Sequence, residues 1–131
     1  MEVRRPRRTA FRSDYQSFKN AVIGQESGGR YGVSNAEGSG AMGIGQIMPE
    51  TAKALSARLG LPYRPDLLAG RDQSARKYQD ALTEAATREA WNYSKGNPEI
   101  GAMYYHGGSN RSKWGPKTRR YASDILTRIG K

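Results

Sequence analysis

The sequence predicts an all-α fold, or at most a mainly helical α+β fold, for a chain of 131 residues. Apolar side chains recur every three or four residues in several segments, which is the spacing of one helix face. No segment shows an alternation strong enough to indicate a strand. Glycine and proline separate the periodic segments, as they do where short helices are joined by turns.

The composition sets limits on the chemistry. Hydrophobic residues make up 36% of the chain, the mean hydropathy is −0.84, and no apolar run approaches the length of a membrane helix. Cysteine is absent, which excludes disulfides and thiolate metal sites, and a single histidine argues against a histidine metal site or a Ser-His-Asp triad. We therefore expect no metal and no cofactor.

The net charge of +10 and the isoelectric point near 10.2 indicate polyanionic partners. Nucleic acid, anionic lipid and an anionic cell wall fit equally well, and the charge can also serve solubility alone. Residues 1–12 hold Pro6 and five arginines without a periodic apolar face, which predicts a basic flexible arm preceding a domain over 13–131. The arm is either a solvated tail or a contact to anionic wall polymer, lipid or nucleic acid. No apolar stretch follows these arginines, so we do not expect a secretory signal here.

The first helix is predicted over 14–26, with Ser13 or Asp14 as its N-cap and Gly28-Gly29 as its stop. Glu26 then lies in the last turn, where the helix dipole and burial both raise the pKa of a carboxyl group. Such a carboxyl group can act as a general acid, although a solvated surface acid remains the alternative. The predicted buried stripe consists of Tyr15, Phe18, Ala21, Val22 and Gln25.

A glycine-rich loop over 28–46 follows and holds a single amide, Gln46, in its apolar second half. Such a loop lets the backbone approach a ligand closely, and Tyr31 and Asn35 are its best candidates for polar contacts.

A second candidate segment lies at the end of a later predicted helix and reads Tyr105-His106-Gly107-Gly108. Its tyrosine and histidine rings can contact a sugar or a catalytic carboxyl group. The remaining predicted helices cover 49–59, 66–70 with Asp66 as its cap, 72–93, a short segment from Pro98 to Tyr105, and 117–129.

Four segments together resemble the soluble lytic transglycosylase domain, a relative of goose-type lysozyme. Glu26-Ser27 is similar to the catalytic Glu-Ser motif of that family. The segments that resemble the other three motifs are Gly43-Ile44-Gly45-Gln46-Ile47-Met48-Pro49-Glu50-Thr51-Ala52, Tyr105-His106-Gly107-Gly108 and Thr118-Arg119-Arg120-Tyr121. The resemblance covers about residues 14–129 and implies a lysozyme-like fold. Gly45 replaces the usual methionine, and His106 replaces the usual asparagine.

The resemblance implies a peptidoglycan lytic transglycosylase with one catalytic carboxyl group, Glu26. It would cleave the β-1,4 bond between N-acetylmuramic acid and N-acetylglucosamine and form a 1,6-anhydro ring. Glu26 would act first as acid and then as base. The rival hypotheses are a hydrolytic muramidase on the same fold, a non-catalytic wall-binding module and, on charge alone, a nucleic-acid-binding protein.

The resemblance also implies a set of substrate-binding side chains. Gln46 and Met48 would line a groove, with Gln46 bonding an N-acetyl or peptide group, and Tyr105 would orient Glu26 or the N-acetyl group. For Met48 a core role is an equal alternative, for Tyr121 packing is the lesser alternative, and for Ser27 fixing the helix end is favoured over contact with sugar. The predicted substrate-binding residues are Ser27, Tyr31, Gln46, Met48, Tyr105, His106 and Tyr121.

We expect a monomer that acts on peptidoglycan in the periplasm or cell wall and needs no nucleic acid. A small basic transglycosylase without a signal peptide fits a phage virion or lysis protein. A piece of a larger protein whose signal lies elsewhere fits the residues equally well.

Overall fold

The computed structural model describes residues 4–35 and 38–130, with side chains from Asp14 onward. Within those residues there is no strand, only two isolated antiparallel bridges that pair Met42 with Ser34 and with Ile47. The predicted all-α fold is confirmed. The helices are α1 (Arg4–Ser27), α2 (Pro49–Arg58), α3 (Pro65–Leu68), α4 (Gln73–Tyr93), α5 (Pro98–Gly107) and α6 (Pro116–Ile129), and a 3-10 turn (Arg111–Lys113) lies between the last two.

The start of α1 differs from the prediction. The backbone is helical from Arg4, so the predicted start near Ser13 or Asp14 was wrong, and most of the predicted flexible arm over 1–12 has a helical backbone. Arginine is a good helix former, and Pro6 lies in the first turn, where its missing N–H interrupts no helical hydrogen bond. Residues 1–3 lie outside the described residues, and the division of the chain at residue 12 stays a prediction.

The other helix boundaries agree closely with the prediction, except at α3. The N-cap of α3 is Arg64, and Asp66 lies inside the first turn instead of capping it. The guanidinium of Arg64 binds the carboxylate of Asp66 through two hydrogen bonds of 2.9 and 2.7 Å. An acid inside the first turn is favourable because it faces the positive end of the helix dipole.

The chain forms two compact units, with boundaries that fall inside α1 and α4. The terminal unit comprises Met1–Val22 and Thr87–Lys131. Its core contains Phe18, Trp91 and Ile125, and α5 packs against α6. Gly101 of α5 lies so close to Phe18 that a Cβ atom there would come within 3.1 Å of the ring. This glycine therefore allows α5 to approach α1 closely.

The central unit comprises Ile23–Ala86 and has a separate apolar core. Leu55 of α2, Leu68 of α3 and Leu82 of α4 are almost completely buried there. Tyr78 of α4 joins this core, and its hydroxyl bonds Ser56 at 2.8 Å and the Arg64 amide at 2.9 Å. The residues that join α2 to α3 are thus held against α4.

Among the described residues, no helix combines the length and apolar character needed to cross a bilayer.

Candidate active site

Glu26 lies in the final turn of α1, as predicted, and its side chain is partly buried. Gly28 and Gly29 follow with φ angles of 67° and 85°, and the Gly28 amide donates to the Gly24 carbonyl at 3.0 Å. These left-handed glycines end the helix directly after the Glu26-Ser27 pair. The local sequence therefore fixes the carboxyl group at the end of a helix, where the dipole opposes its negative charge.

Ser27 connects the end of α1 to the glycine-rich loop. Its hydroxyl is 2.8 Å from the Ile44 carbonyl and 3.2 Å from the Ile23 carbonyl, and it accepts a hydrogen bond from the Gly29 amide at 3.1 Å. The side chain is only 3% exposed. These contacts favour a role in fixing the helix end, and contact of Ser27 with substrate stays a prediction.

Gln46 has an unusual backbone conformation and a fully engaged amide nitrogen. Its φ angle is 49°, in the left-handed region that side chains other than glycine rarely adopt. The Nε2 group donates to the Val33 carbonyl at 2.8 Å and to the Gly43 carbonyl at 3.1 Å. Because carbonyls can only accept, these two contacts determine which side of the amide is nitrogen. The Oε1 atom is the group that Gln46 can offer to a ligand.

Gln79 of α4 is a residue that sequence reasoning missed. It is 1% exposed, and its Oε1 atom accepts from the Gly32 and Ile44 amides, both at 3.0 Å. Its Nε2 group donates to the carbonyls of Leu67 and Gly70 at 2.8 and 2.9 Å. The available signal was its position beside Tyr78 and Leu82 on the buried side of a helix, where an amide needs partners.

The remaining two predicted residues of the central unit differ in their surroundings. The Tyr31 hydroxyl donates to the Asp80 carboxylate at 2.9 Å, and the Arg76 guanidinium lies 5.2 Å from the ring centre. Desolvation and the bond to Asp80 raise the pKa of Tyr31 above its usual 10.0, so it remains a donor at neutral pH. Met48, the N-cap residue of α2, is 45% exposed, which rules out the core role considered for it.

Three predicted residues belong to the terminal unit: Tyr105 and His106 near the end of α5, and Tyr121 of α6. The rings of His106 and Tyr121 stack at 4.7 Å between centres, and the Nδ1 atom of His106 shares a 3.2 Å hydrogen bond with the Thr118 hydroxyl. Partial burial lowers the pKa of His106 below 6.5, and the charge of Lys117 lowers it further. Tyr121 is 8% exposed and belongs to the core, which favours packing, whereas Tyr105 is partly buried.

The other acids of the central unit that the structure describes are engaged elsewhere, whereas Glu37 lies outside the described residues. Asp66 is exposed, and its hydrogen bonds with Arg64 lower its pKa. Glu50 lies 3.8 Å from the ammonium group of Lys53 on the surface of α2. In the part of the chain that the structure describes, no three histidine or acidic side chains are grouped so that they could hold a metal ion.

Comparison with known proteins gives two positive findings. The sequence model of the family described as "Transglycosylase SLT domain" matches residues 9–126. A protein of Enterobacteria phage PRD1 named "Transglycosylase" is 30% identical over 108 residues, which make up 82% of this chain and 35% of that protein. The chain thus spans about a third of the length of this relative. No solved structure matches the chain.

The family match confirms the resemblance predicted from the four motifs. It covers α1 from residue 9, both groups of candidate residues and most of α6. The roles of the individual residues are not tested by these comparisons and stay predictions.

Proposed function

The chain belongs to the transglycosylase SLT domain family, and from this premise we propose that it is a peptidoglycan lytic transglycosylase with Glu26 as its acid and base. The observation that carries this proposal is the position of Glu26. It is a partly buried carboxyl group in the last turn of α1, directly before a serine that bonds the glycine-rich loop. A dipole that opposes its negative charge favours the protonated form that a general acid needs.

The reaction needs one proton donor that is later regenerated. Glu26 gives its proton to the glycosidic oxygen as the bond from C1 of N-acetylmuramic acid breaks, and the N-acetyl carbonyl of the substrate stabilises the positive charge on C1. The carboxylate then removes the proton from the 6-hydroxyl of the same sugar. The 6-oxygen bonds C1 and closes the 1,6-anhydro ring. Glu26 ends protonated, and no water is consumed.

The contacts of three other acids of the central unit support a single-carboxylate mechanism. An inverting hydrolase needs a second carboxylate to activate water on the opposite face of the sugar. Asp66 is bound by Arg64, Asp80 accepts from Tyr31, and Glu50 faces Lys53. The 6-hydroxyl is already held on the ring, which makes it a better nucleophile than free water.

The contacts in the central unit also suggest roles for Gln46 and Met48. Since both amide hydrogens of Gln46 are bound to loop carbonyls, its Oε1 atom would accept from an N–H group, such as that of an N-acetyl or peptide group. The exposed thioether of Met48 would pack on the apolar face of a sugar. In the terminal unit, Tyr105 would orient the N-acetyl group of the substrate, and His106 would replace the usual asparagine as a polar contact.

We also propose a site of action. A peptidoglycan substrate places the enzyme at the cell wall or in the periplasm, and the similarity to a phage transglycosylase favours delivery by a virion or release during lysis. The positive charge of the chain suits an anionic wall polymer. The reaction requires only one copy of the chain, so we propose a monomer.

The decisive experiment compares Glu26→Gln with the matched surface variant Glu50→Gln on purified murein. Glutamine keeps the shape of Glu26 but cannot donate the proton, so activity should fall by roughly 10²-fold or more. Glu50→Gln should retain activity. Mass spectrometry of the initial wild-type products should show 1,6-anhydromuramoyl ends, which lack the one water that hydrolysis adds.

A dominant product with reducing muramic acid would make the chain a hydrolytic muramidase. Wild-type activity in Glu26→Gln would reject Glu26 as the acid. Both variants should unfold at the temperature of the wild type, which separates lost chemistry from lost structure.

A further inference from the structure

Outside the residues discussed so far, Arg111 of the terminal unit is held between two aromatic rings. Its guanidinium carbon lies 5.4 Å from the ring centre of Tyr93 and 5.1 Å from that of Trp114. Its Nε group donates to the Tyr93 hydroxyl at 2.8 Å. Arg111 is exposed and Tyr93 is 38% exposed, so the group is open to solvent.

Further contacts hold the groups around Arg111. The Tyr93 ring packs at a tilt against Tyr104, with 4.3 Å between ring centres, and the Trp114 indole donates to the Gly108 carbonyl at 2.9 Å. The Asn110 side chain accepts from the Ser112 amide and hydroxyl, which fixes the 3-10 turn that begins at Arg111. Both rings and the turn are therefore held in place before any ligand arrives.

The charge of Arg111 is not neutralised within the described residues, since none of their carboxylates pairs with it. A guanidinium has five N–H donors, and the bond to Tyr93 uses the one on Nε. The two terminal nitrogens form a planar fork that matches the two oxygens of a carboxylate. The rings fix this fork, so binding loses less side-chain entropy than it would for a freely moving arginine.

We propose that Arg111, Tyr93 and Trp114 form a binding site for a carboxylate of the peptide stems of peptidoglycan. Arg111 binds the carboxylate through its terminal nitrogens, and Trp114 packs against the adjoining aliphatic part of the stem. This proposal rests on the proposed function, because the stem is part of the same wall polymer. It adds a second contact to the substrate that is chemically independent of bond cleavage.

The first test needs no change at the site. A muropeptide with free stem carboxylates and the same compound with those carboxylates converted to amides are titrated into the Glu26→Gln protein, and binding is measured by calorimetry. The free acid should bind roughly tenfold more tightly, because a charge-assisted bidentate contact is lost in the amide. Equal affinities would overturn the proposal.

The second test uses two variants that lose the same charge on the same turn. In the Glu26→Gln background, Arg111→Gln should abolish the preference for the free acid, whereas Lys113→Gln should preserve it. Arg111→Lys keeps the charge but not the planar fork and should retain only part of the preference. An equal loss in Arg111→Gln and Lys113→Gln would mean a general charge effect and contradict a specific site.

Two further measurements locate the bound carboxylate and identify the class of ligand. The indole N–H resonance of Trp114 should shift on titration with the free acid, and that of the buried Trp91 should not. Displacement of the muropeptide by inorganic phosphate at similar concentration would reject a carboxylate site in favour of a general anion site. Product analysis on intact sacculi tests the proposed cleavage separately, so failure of one proposal does not imply failure of the other.

Discussion

At the scale of single residues, Gln79 does the most to shape the central unit. Its amide bonds four backbone groups, two in the glycine-rich loop and two around the end of α3. One of the loop groups is the Ile44 amide, and the Ile44 carbonyl accepts from Ser27 beside Glu26. A buried side chain on α4 is thus connected through one loop residue to the end of the helix that carries the proposed acid.

Replacement of Gln79 tests this connection. Gln79→Met keeps the volume but leaves four backbone groups without their partner, so the free energy of unfolding should fall by about 3 kcal/mol. Gln73→Met changes an exposed glutamine of the same helix and should stay within about 0.5 kcal/mol. Urea denaturation measures both. A small effect in Gln79→Met would show that water replaces the amide and that the side chain does not fix the loop.

His106 gives a prediction about pH. Partial desolvation of the ring, and to a lesser extent the charge of Lys117, lower the pKa of His106, so the folded state favours the neutral ring and the unfolded chain binds the proton more readily. The stability of the protein should therefore decrease as the pH falls from above 6.5 through the lowered pKa, and it should recover as the pH rises. Thermal unfolding between pH 7 and pH 5 should show a smaller loss in His106→Asn than in wild type. An identical pH profile in the two proteins would exclude His106 as a source of this dependence.

At the scale of elements, the sequence predicted those features that depend on neighbouring residues. The end of α1 and the position of Glu26 follow from Gly28-Gly29, and α5 begins at Pro98 because proline suits the first turn of a helix. The start of α1 was missed, since residues 4–12 show no apolar face. The conformation of the glycine-rich loop was also missed, because the contact between Gln79 and Ile44 joins residues 35 positions apart. Sequence periodicity carries no information on such a pairing.

Two glycines of the central unit provide a matched test of that loop. Gly43 and Gly60 have similar φ angles of 86° and 73°, so alanine is strained at both by about 1–2 kcal/mol. A Cβ atom added at Gly43 would lie 3.1 Å from Oε1 of Gln79. A Cβ atom added at Gly60 would have no neighbouring atom within 4 Å. Gly43→Ala should therefore destabilise the protein by about 1 kcal/mol more than Gly60→Ala. Equal losses would mean that the Gln79 amide shifts without cost.

At the scale of the whole molecule, the motifs predicted the family correctly, although they lie in both units. Glu26 and Gln46 belong to the central unit, and Tyr105 and Tyr121 belong to the terminal unit. Each unit has its own apolar core. No change in amino-acid composition along the sequence indicated that the chain would form two cores. The order of the motifs along the chain was enough to predict the family. The two cores could not be predicted in this way, because they depend on contacts between segments that are distant in sequence.

The net charge of +10 leads to the last prediction, which concerns binding to the wall. Exposed charges are screened beyond a Debye length of about 8 Å at 0.15 M salt, so affinity for sacculi should fall as salt is added. Changing Arg4, Arg5, Arg7 and Arg8 to glutamine lowers the net charge from +10 to +6. Glutamine has a helix propensity similar to that of arginine, so the helical backbone should be retained. Deletion of residues 1–12 gives the same net charge but also removes the first turns of α1.

A third variant places the same loss of charge elsewhere, by changing Lys53, Arg58, Arg71 and Lys77 of the central unit to glutamine. If the N-terminal arginines contact the wall, their replacement should reduce the dependence of binding on salt more than the central replacement does. Deletion should then match the N-terminal replacement, because charge and not helix length sets the effect. Sedimentation with purified sacculi across a salt series measures all three variants. Equal slopes in the N-terminal and central variants would show that only the total charge matters and that the N-terminal arginines have no special role in binding the wall.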